Sequence, residues 1–240
     1  MTILSASGKC LNAFRRADNN KEDFTMEYIV KRLPDDVTPI RFDGEFTPET
    51  MPEAFKALNE AAISDYPWLE KYPDSFPAFA RVGYNESGLI VLMYAKENPI
   101  LKNITVISTR QCTDSCLEFF VKPFPENDDR YMNIEISASG VPYVGLGPGR
   151  GMGTKFKGLV NGMDVSASEH KGGWWAVSYR IPACFMKVIY GETLASGSKM
   201  KANFYKCSEN IHPHFGTWNH VESPKPDFHR PECFGDLTLE

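Results

Sequence analysis

The sequence contains no apolar run long enough to cross a membrane as a helix. Such a helix needs about 18 or more consecutive apolar residues, and no stretch of this chain reaches that length. The first 24 residues also lack the apolar segment of about seven or more residues that a secretory signal peptide requires. We therefore expect no membrane span and no signal peptide in the chain as written. The compartment stays open: cytoplasmic as written, or secreted if a signal was removed.

Clusters of basic residues are missing as well. The chain has 26 Lys and Arg against 31 Asp and Glu, and its formal net charge is -5 at pH 7. Proteins that bind nucleic acid carry a basic patch or stripe, and the same holds for segments held at acidic membrane surfaces. The charge pattern therefore predicts neither kind of partner.

Cysteine is too sparse for a disulfide framework and shows no CxxC spacing. Cys112 and Cys116 lie four residues apart and could pair, but we favour buried free thiols. The six cysteines are Cys10, Cys112, Cys116, Cys184, Cys207 and Cys233.

Aromatic residues, glycine and proline are plentiful. Aromatics make up 12% of the chain, with 18 Gly and 17 Pro, and hydrophobic residues reach 42%. This composition supplies a sizeable core and favours strands joined by turns over a helical bundle. We predict a mostly-β fold, an antiparallel β-sandwich of jelly-roll type with one or two short helices.

The chain divides at Met26. Residues 1–25 are polar and without periodicity, and we expect them to be a flexible extension, whereas residues 26–240 form one domain. Residues 52–63 are the helix candidate, with Pro52 at the start. The stretch 145–153 is interpreted as a flexible loop because its glycines match no phosphate-binding motif. Strands are predicted at 26–33, 78–84, 89–95, 115–122, 130–138, 174–181, 200–206 and 235–240.

Two of these strands carry a polar face. In 115–122, Leu117, Phe119 and Val121 share one side, so Glu118 lies on the other. Paired as a hairpin with 130–138, this strand brings a second polar set beside Glu118. That set is Asn133, Glu135 and Ser137. Such a face suits hydrogen bonding to hydroxyl groups.

Four segments, in order, resemble the family 9 carbohydrate-binding modules. They are Asp114–Phe120 with Tyr131–Glu135, then Trp175–Pro182, Ala202–Cys207 and Pro224–Leu237. The resemblance covers roughly residues 26–240. It implies an antiparallel β-sandwich related to DOMON-type domains, a mono- or oligosaccharide ligand, structural calcium, and a role in carbohydrate catabolism.

The resemblance also implies site residues. In family members two aromatic side chains clamp a terminal sugar, and one of these positions is Phe228 here. Its polar positions fall near Glu118, Glu135 and Ser137. The second aromatic belongs just before Asp114, where residues 109–113 contain none; another aromatic replaces it, or the ligand differs.

Further candidates come from the residues themselves. Trp174 and Trp175 point to opposite faces of a strand, and Trp174 is the one expected to be exposed to ligand. Trp218 is either a sugar platform in a loop or a plug in the core. Arg230 either hydrogen-bonds the ligand or anchors the C-terminal segment to a carboxylate.

Metal sites and other activities remain alternatives. Asp114, Asp128 and Asp129 are candidate calcium ligands. His212, His214, His220 and His229 lie close in sequence and follow Cys207, but their spacing matches no common zinc pattern.

Two other functions compete with sugar binding. Glu118 and Glu135 could act as the acid and base of a glycoside hydrolase. A DOMON-like domain could instead hold haem or another small ligand. We favour non-catalytic carbohydrate binding. The sequence does not indicate which sugar binds, whether a chain end or an internal segment is bound, or the oligomeric state.

Overall fold

Thirteen strands and two short helices occur in the computed structural model, which describes residues 25–157, 159–169 and 172–240. The strands are β1 (Glu27–Arg32), β2 (Ala61–Ala62), β3 (Ala78–Asn85), β4 (Gly88–Lys96), β5 (Cys116–Lys122), β6 (Tyr131–Ser137), β7 (Pro142–Gly147), β8 (Thr154–Lys155), β9 (Ser166–Glu169), β10 (Trp174–Pro182), β11 (Lys199–Ser208), β12 (His214–Thr217) and β13 (Gly235–Leu239). The helices are α1 (Glu53–Lys56) and α2 (Ala183–Tyr190), with 3-10 turns at Pro48–Thr50, Gln111–Thr113, Leu159–Gly162 and Pro231–Cys233.

The strands form two sheets that share β1. The first sheet has the order β8-β7-β6-β5-β11-β13-β1, with β12 beside β11, and the second has the order β1-β3-β4-β10-β9, with β2 beside β3. Residues 27–30 of β1 pair with β13, and residues 31 and 32 pair with β3. Both pairings of β1 are parallel, and every other strand pairing in the described residues is antiparallel. The predicted mostly-β sandwich is confirmed, with β1 as its parallel exception.

Alternating side chains of the first sheet build the core between the sheets. Leu117, Phe119 and Val121 are buried in this core, as the alternation in β5 predicts. The ring of Phe119 stacks on Phe204 of β11, with centroids 4.8 Å apart. Burying a Phe side chain of this kind stabilises a fold by about 1.5–3 kcal/mol.

The second sheet is covered on both faces, which explains the continuous apolar run of β4. Leu89, Val91 and Met93 face the core between the sheets. Ile90 and Leu92 face outward, against a second cluster supplied by the segment before β2. That cluster contains Leu33, Phe46, Met51, Phe55 and Leu58.

The outer face of the first sheet carries a different cover, made largely of aromatic rings. Its buried members are Trp68, Cys116, Phe120, Tyr131, Tyr205, Cys207, Val221, Phe228 and Phe234. We refer to it as the aromatic cover. It leaves part of the sheet open as a cleft.

The predicted helix over 52–63 is wrong outside residues 53–56. The helix spans Glu53–Lys56, and Ala61–Ala62 instead pair with β3. Arg81 ends the helix by donating hydrogen bonds to the carbonyl oxygens of Lys56 and Leu58, at 3.2 and 2.6 Å. These bonds satisfy acceptors that an α-helix leaves free at its C-terminus.

All eight predicted strands are present, with bounds that differ by at most two residues. The loop predicted over 145–153 is wrong in its first three residues, which belong to β7. Pattern reading missed β7 because Pro142, Gly145 and Gly147 resemble turn residues. A helix, α2, directly follows Ile181-Pro182.

The extension predicted over residues 1–25 lies outside the described residues except for Thr25, so the boundary at Met26 stays a prediction. Among the described residues, no helix has both the length and the apolar character needed to cross a membrane.

Candidate functional site

A cleft of about 330 Å³ opens on the outer face of the first sheet, beside the aromatic cover. Its floor comes from β5, β6, β7 and β11, and its walls come from loops and from β8 and β12. The lining residues are Thr109, Arg110, Cys112, Glu118, Phe120, Glu135, Tyr143, Arg150, Lys155, Cys207, Glu209, Phe215, Pro226, Asp227, Phe228 and His229.

A row of four side chains crosses the floor. Tyr205 lies opposite Glu118, Glu118 opposite Glu135, and Glu135 opposite Tyr143. Residues directly opposite in antiparallel strands have Cβ atoms about 4.5–5.5 Å apart and point to the same face. The register therefore sets two carboxyl groups side by side between two tyrosines.

Glu118 is buried, at 3% exposure. Its Oε1 accepts a hydrogen bond from Sγ of Cys207 at 3.1 Å, and none of the described Lys, Arg or His side chains forms an ion pair with it. Burial and then the neighbouring Glu135 raise the pKa of Glu118 well above its usual range. Like charges held close in a dry site cannot both ionise easily, so Glu118 is the carboxyl that keeps its proton.

Glu135 is held by Asn133, whose Nδ2 donates a hydrogen bond to Oε1 at 2.8 Å. Burial raises the pKa of Glu135 to about 7, against the hydrogen bond from Asn133. Gly145 of β7 makes room for this arrangement, because a Cβ there would lie 2.2 Å from Oδ1 of Asn133. The pair therefore offers both a proton donor and an acceptor near neutral pH.

Aromatic rings line the cleft beside the carboxyl pair. Phe228 stacks on Tyr205, with centroids 4.1 Å apart and an interplanar angle of 10°. Phe215 packs edge-on against Phe228 at 6.2 Å and is only half-buried. Tyr143 is also half-buried, and Nζ of Lys155 lies 5.2 Å from the centre of its ring.

Two ion pairs stand at the rim. Arg150 donates from Nε and Nη2 to Oδ1 of Asp227, at 2.9 and 2.8 Å. Arg110 pairs with Glu209 on the other side. Arg150 also lowers the pKa values of Glu118 and Glu135 through its charge, although burial of these carboxyls outweighs that effect. The rim is therefore polar and close to neutral overall.

The cleft thus combines hydrogen-bonding carboxyl groups with flat apolar rings. A ring face suits the C–H face of a pyranose, and carboxyl groups bind hydroxyls as donors or acceptors. This chemistry suits a polyhydroxylated ligand with an apolar face.

The sequence model of carbohydrate-binding family 9 matches residues 48–239. The chain belongs to this family. The match supports non-catalytic carbohydrate binding and gives no support to the hydrolase or haem-binding alternatives. A search of curated proteins found no match.

Solved structures of three chains have the same fold. A proposed carbohydrate-binding protein from Bacteroides uniformis is 24% identical, with a TM-score of 0.74, covering 90% of this chain and 100% of that chain. A family 9 module from Caldicellulosiruptor kristjanssonii, in complex with cellotriose, is 12% identical, with a TM-score of 0.59, covering 90% of this chain and 94% of that chain. A family 9 module from the same organism, in complex with glucose, is 13% identical, with a TM-score of 0.57, covering 90% of this chain and 96% of that chain.

Several residues predicted for the site of this family 9 member meet at the cleft. Glu118, Glu135 and Phe228 line it, and Asn133 supports Glu135 from below. Ser137 is buried, and its hydroxyl donates to the carbonyl oxygen of Val141 at 3.4 Å, outside the lining.

Three predicted residues lie elsewhere. Trp218 is buried at 5% exposure in the core between the sheets, edge-on to Phe204 at 5.4 Å. Trp174 is on β10 of the second sheet, 5.9 Å from the ring of Tyr94. Arg230 lies outside the lining, where Nε donates to Glu232 at 2.6 Å. Trp218 thus occupies the core position that the sequence left open as an alternative, and Arg230 binds a carboxylate.

Sequence analysis missed much of the wall. Tyr143, Arg150, Lys155 and Phe215 come from β7, β8, β12 and a glycine-rich loop, which carry weak strand signals. The absence of an aromatic residue before Asp114 was a usable signal, because one of the two alternatives it left was a replacement ring elsewhere in the chain. Phe215 and Tyr143 are the half-buried aromatic residues of the cleft.

The calcium candidates are engaged with protein groups. The carboxylate of Asp114 accepts hydrogen bonds from the backbone N–H groups of Asn103 and Ile104, at 2.5 and 2.7 Å. Asp128 pairs with Arg130, and Asp129 with Lys122. Structural calcium stays a prediction.

The four histidines that are close in sequence have different side-chain partners. His212 faces Asp74, and His220 faces Asp65. Nδ1 of His229 lies 2.7 Å from the hydroxyl of Tyr131. The remaining residue, His214, lies 2.7 Å from the ammonium group of Lys206. The cysteines among the described residues are free thiols.

Proposed function

We propose that the cleft over Glu118 and Glu135 is the carbohydrate-binding site of this family 9 module, and that it takes a short saccharide or the end of a chain. The observation that carries the proposal is the row of two carboxyl groups between aromatic rings, in a cleft beside the aromatic cover. Its volume of about 330 Å³ is at the small end of the range for ligand sites.

The roles of the side chains follow from their positions. Phe215 and Tyr143 present ring faces to the sugar, and Phe228, backed by Tyr205, forms the inner wall. Glu135 and Glu118 accept or donate hydrogen bonds to its hydroxyls. Each such bond contributes about 0.5–1.5 kcal/mol net, because it replaces a bond to water. A few contacts give dissociation constants between micromolar and millimolar. Structural calcium and a role in glycan catabolism remain parts of the proposal.

Calorimetry with glucose, cellotriose and a wider glycan panel tests this proposal. The two named sugars come first because family 9 neighbours were solved with them. We expect Phe215→Ala and Glu135→Gln each to weaken binding by about tenfold or more, which is about 1.4 kcal/mol. Trp174→Ala is the matched control, since it removes a half-buried aromatic ring on the other sheet, and it should leave binding unchanged.

The proposal fails if no sugar binds at millimolar concentration, or if both cleft variants bind as well as the unaltered protein. Release of reducing sugar that disappears in Glu118→Gln would instead indicate a hydrolase.

A further inference from the structure

Two thiols and a carboxylate meet at the floor of the cleft. Cys207 of β11 lies directly opposite Cys116 of β5, and Glu118 follows Cys116 by two residues on the same face. One ligand atom from each of these three residues lies within 4.8 Å of the others, and all three side chains are buried.

We propose that Cys116, Glu118 and Cys207 bind a thiophilic divalent cation of the zinc type, with a fourth coordination position open toward the cleft. In a tetrahedral zinc site, Zn–S distances near 2.3 Å and Zn–O distances near 2.1 Å place neighbouring ligand atoms about 3.5–3.8 Å apart. The separation between Sγ of Cys207 and Oε1 of Glu118 is 3.1 Å, so a small rotation of either side chain opens the required space.

The donor set decides the class of cation. Sulfur ligands favour zinc, cobalt and other soft or borderline ions, whereas calcium and magnesium take oxygen ligands. Two of the three donors here are sulfur. The site therefore differs in kind from any calcium site.

Charge supports a cation at this place. A buried carboxylate ordinarily has a cationic partner or a metal, and Glu97, elsewhere in the molecule, pairs with Lys206. For Glu118, the polar neighbours are the thiols of Cys207 and Cys116. A divalent ion would supply a cationic partner in direct contact with Glu118, whereas Arg150 acts on this carboxyl through its charge without forming an ion pair.

The fourth position also has suitable neighbours. Cys112 and Glu135 line the same cleft, and Cys207 and Glu118 themselves reach its surface. Three protein ligands with an accessible fourth position are typical of zinc sites that exchange water or bind a ligand. The cation would therefore be reachable from solvent through the cleft.

Metal binding must release protons. The two thiols and the carboxyl of Glu118 each give a proton to solvent as they become the thiolate and carboxylate ligands. Affinity should weaken as the pH falls.

The test uses full-length, reduced, metal-free protein without sugar, so its outcome does not depend on the proposed carbohydrate site. Cobalt(II) serves as the probe, because thiolate ligation produces a sulfur-to-cobalt charge-transfer absorption. We expect one cobalt ion per chain with this absorption, displacement by zinc, and no displacement by excess calcium.

Variants identify the ligands. Cys116→Ala, Cys207→Ala and Glu118→Gln should each weaken cobalt affinity by about tenfold or more. The matched control is the double variant Cys10→Ala/Cys184→Ala, which keeps all three ligands and should bind normally; Cys184 is exposed on α2. Circular dichroism checks that each variant folds. If a variant does not fold, the cobalt spectrum of the unaltered protein still tests the site.

The inference is overturned if bound cobalt shows no thiolate absorption, if calcium displaces it readily, or if the spectrum and affinity are unchanged in folded Cys207→Ala.

Discussion

Two buried glutamates show how differently this fold treats a charge. Glu97 is 4% exposed and Glu118 is 3% exposed. Glu97 accepts hydrogen bonds from Nζ of Lys206 at 3.0 Å and from Nε1 of Trp175 at 2.6 Å. Glu118 has two thiol neighbours and a second carboxyl group instead. Burial alone therefore does not distinguish a structural carboxylate from one available to a ligand; its partners do.

The buried polar groups around Glu97 are hydrogen-bonded to one another. Nζ of Lys206 has three partners, namely Oε2 of Glu97, Nε2 of His214 at 2.7 Å and the carbonyl oxygen of Cys207 at 3.2 Å. A lysine ammonium group has three N–H donors. His214 in turn donates from Nδ1 to the carbonyl oxygen of His212 at 2.6 Å. Burial, and then the charge of Lys206, lowers the pKa of His214 to about 3, so its ring is neutral and accepts from Lys206.

The cluster around Glu97 joins the two sheets, whereas Glu118 faces the cleft. Lys206 comes from β11 of the first sheet, and Glu97 directly follows β4 of the second. A satisfied ion pair here fixes how the sheets face each other. The unpaired carboxyl in the cleft keeps hydrogen-bonding capacity for something that arrives from solvent.

The largest expected effect on stability is the difference between the same substitution, Glu to Gln, at position 97 and at position 118. Glu97→Gln removes the counter-charge of a buried lysine and should lower the free energy of unfolding by about 3–5 kcal/mol. Glu118→Gln should change it by less than about 0.5 kcal/mol at neutral pH, since an amide resembles the protonated carboxyl that burial favours there. Urea unfolding measures both values.

The double variant Glu97→Gln/Lys206→Met is the control, and it should regain most of the loss because no unpaired charge remains. Equal losses at Glu97 and Glu118 would show that the comparison is mistaken.

A smaller effect is expected in the dependence of stability on pH. The pKa of Glu135, about 7, is raised in the fold, so its contribution is fully present below the unfolded value near 4.5 and is lost as the pH rises through 7. The pKa of His214, about 3, is lowered, so its contribution is present above about 6.5 and is lost as the pH falls toward 3. The two effects oppose each other between about pH 4.5 and 6.5.

Melting temperatures across this range separate the two contributions. Glu135→Gln should remove the loss of stability between about pH 4.5 and 7, on the order of 3 kcal/mol. His214→Gln should instead flatten the loss on the acidic side. If both variants shift the profile in the same direction, the two sites do not titrate as their surroundings imply.

The smallest effect is expected outside both sites. Arg230 forms an ion pair with Glu232, and both side chains are exposed. Exposed pairs contribute about 0–1 kcal/mol, so Arg230→Ala should leave both stability and sugar affinity nearly unchanged. Calorimetry beside Phe215→Ala checks this. A tenfold loss of affinity would return Arg230 to the ligand-binding set.

The sequence by itself determined eight of the strands and the faces of the hairpin of β5 and β6. Alternation of apolar and polar residues is local, and it placed Phe119 in the core and Glu118 with Glu135 on the other face before any tertiary contact was known. The run of β4 likewise indicated a strand buried on both sides. The residues of carbohydrate-binding family 9 could be recognised in order along the chain.

Tertiary structure alone decided what covers each face. Whether Trp218 fills the core or meets a ligand depends on rings that come from distant segments, such as Phe204. The cleft needs Tyr143, Arg150 and Phe215, which the strand pairing brings to Glu118 from positions 25 to 97 residues further along the chain. Packing between segments that are far apart in sequence determines which groups pair with a buried charge. Local sequence patterns carry no information about these partners. For that reason Glu97 and Glu118 look alike in the sequence and differ in the fold.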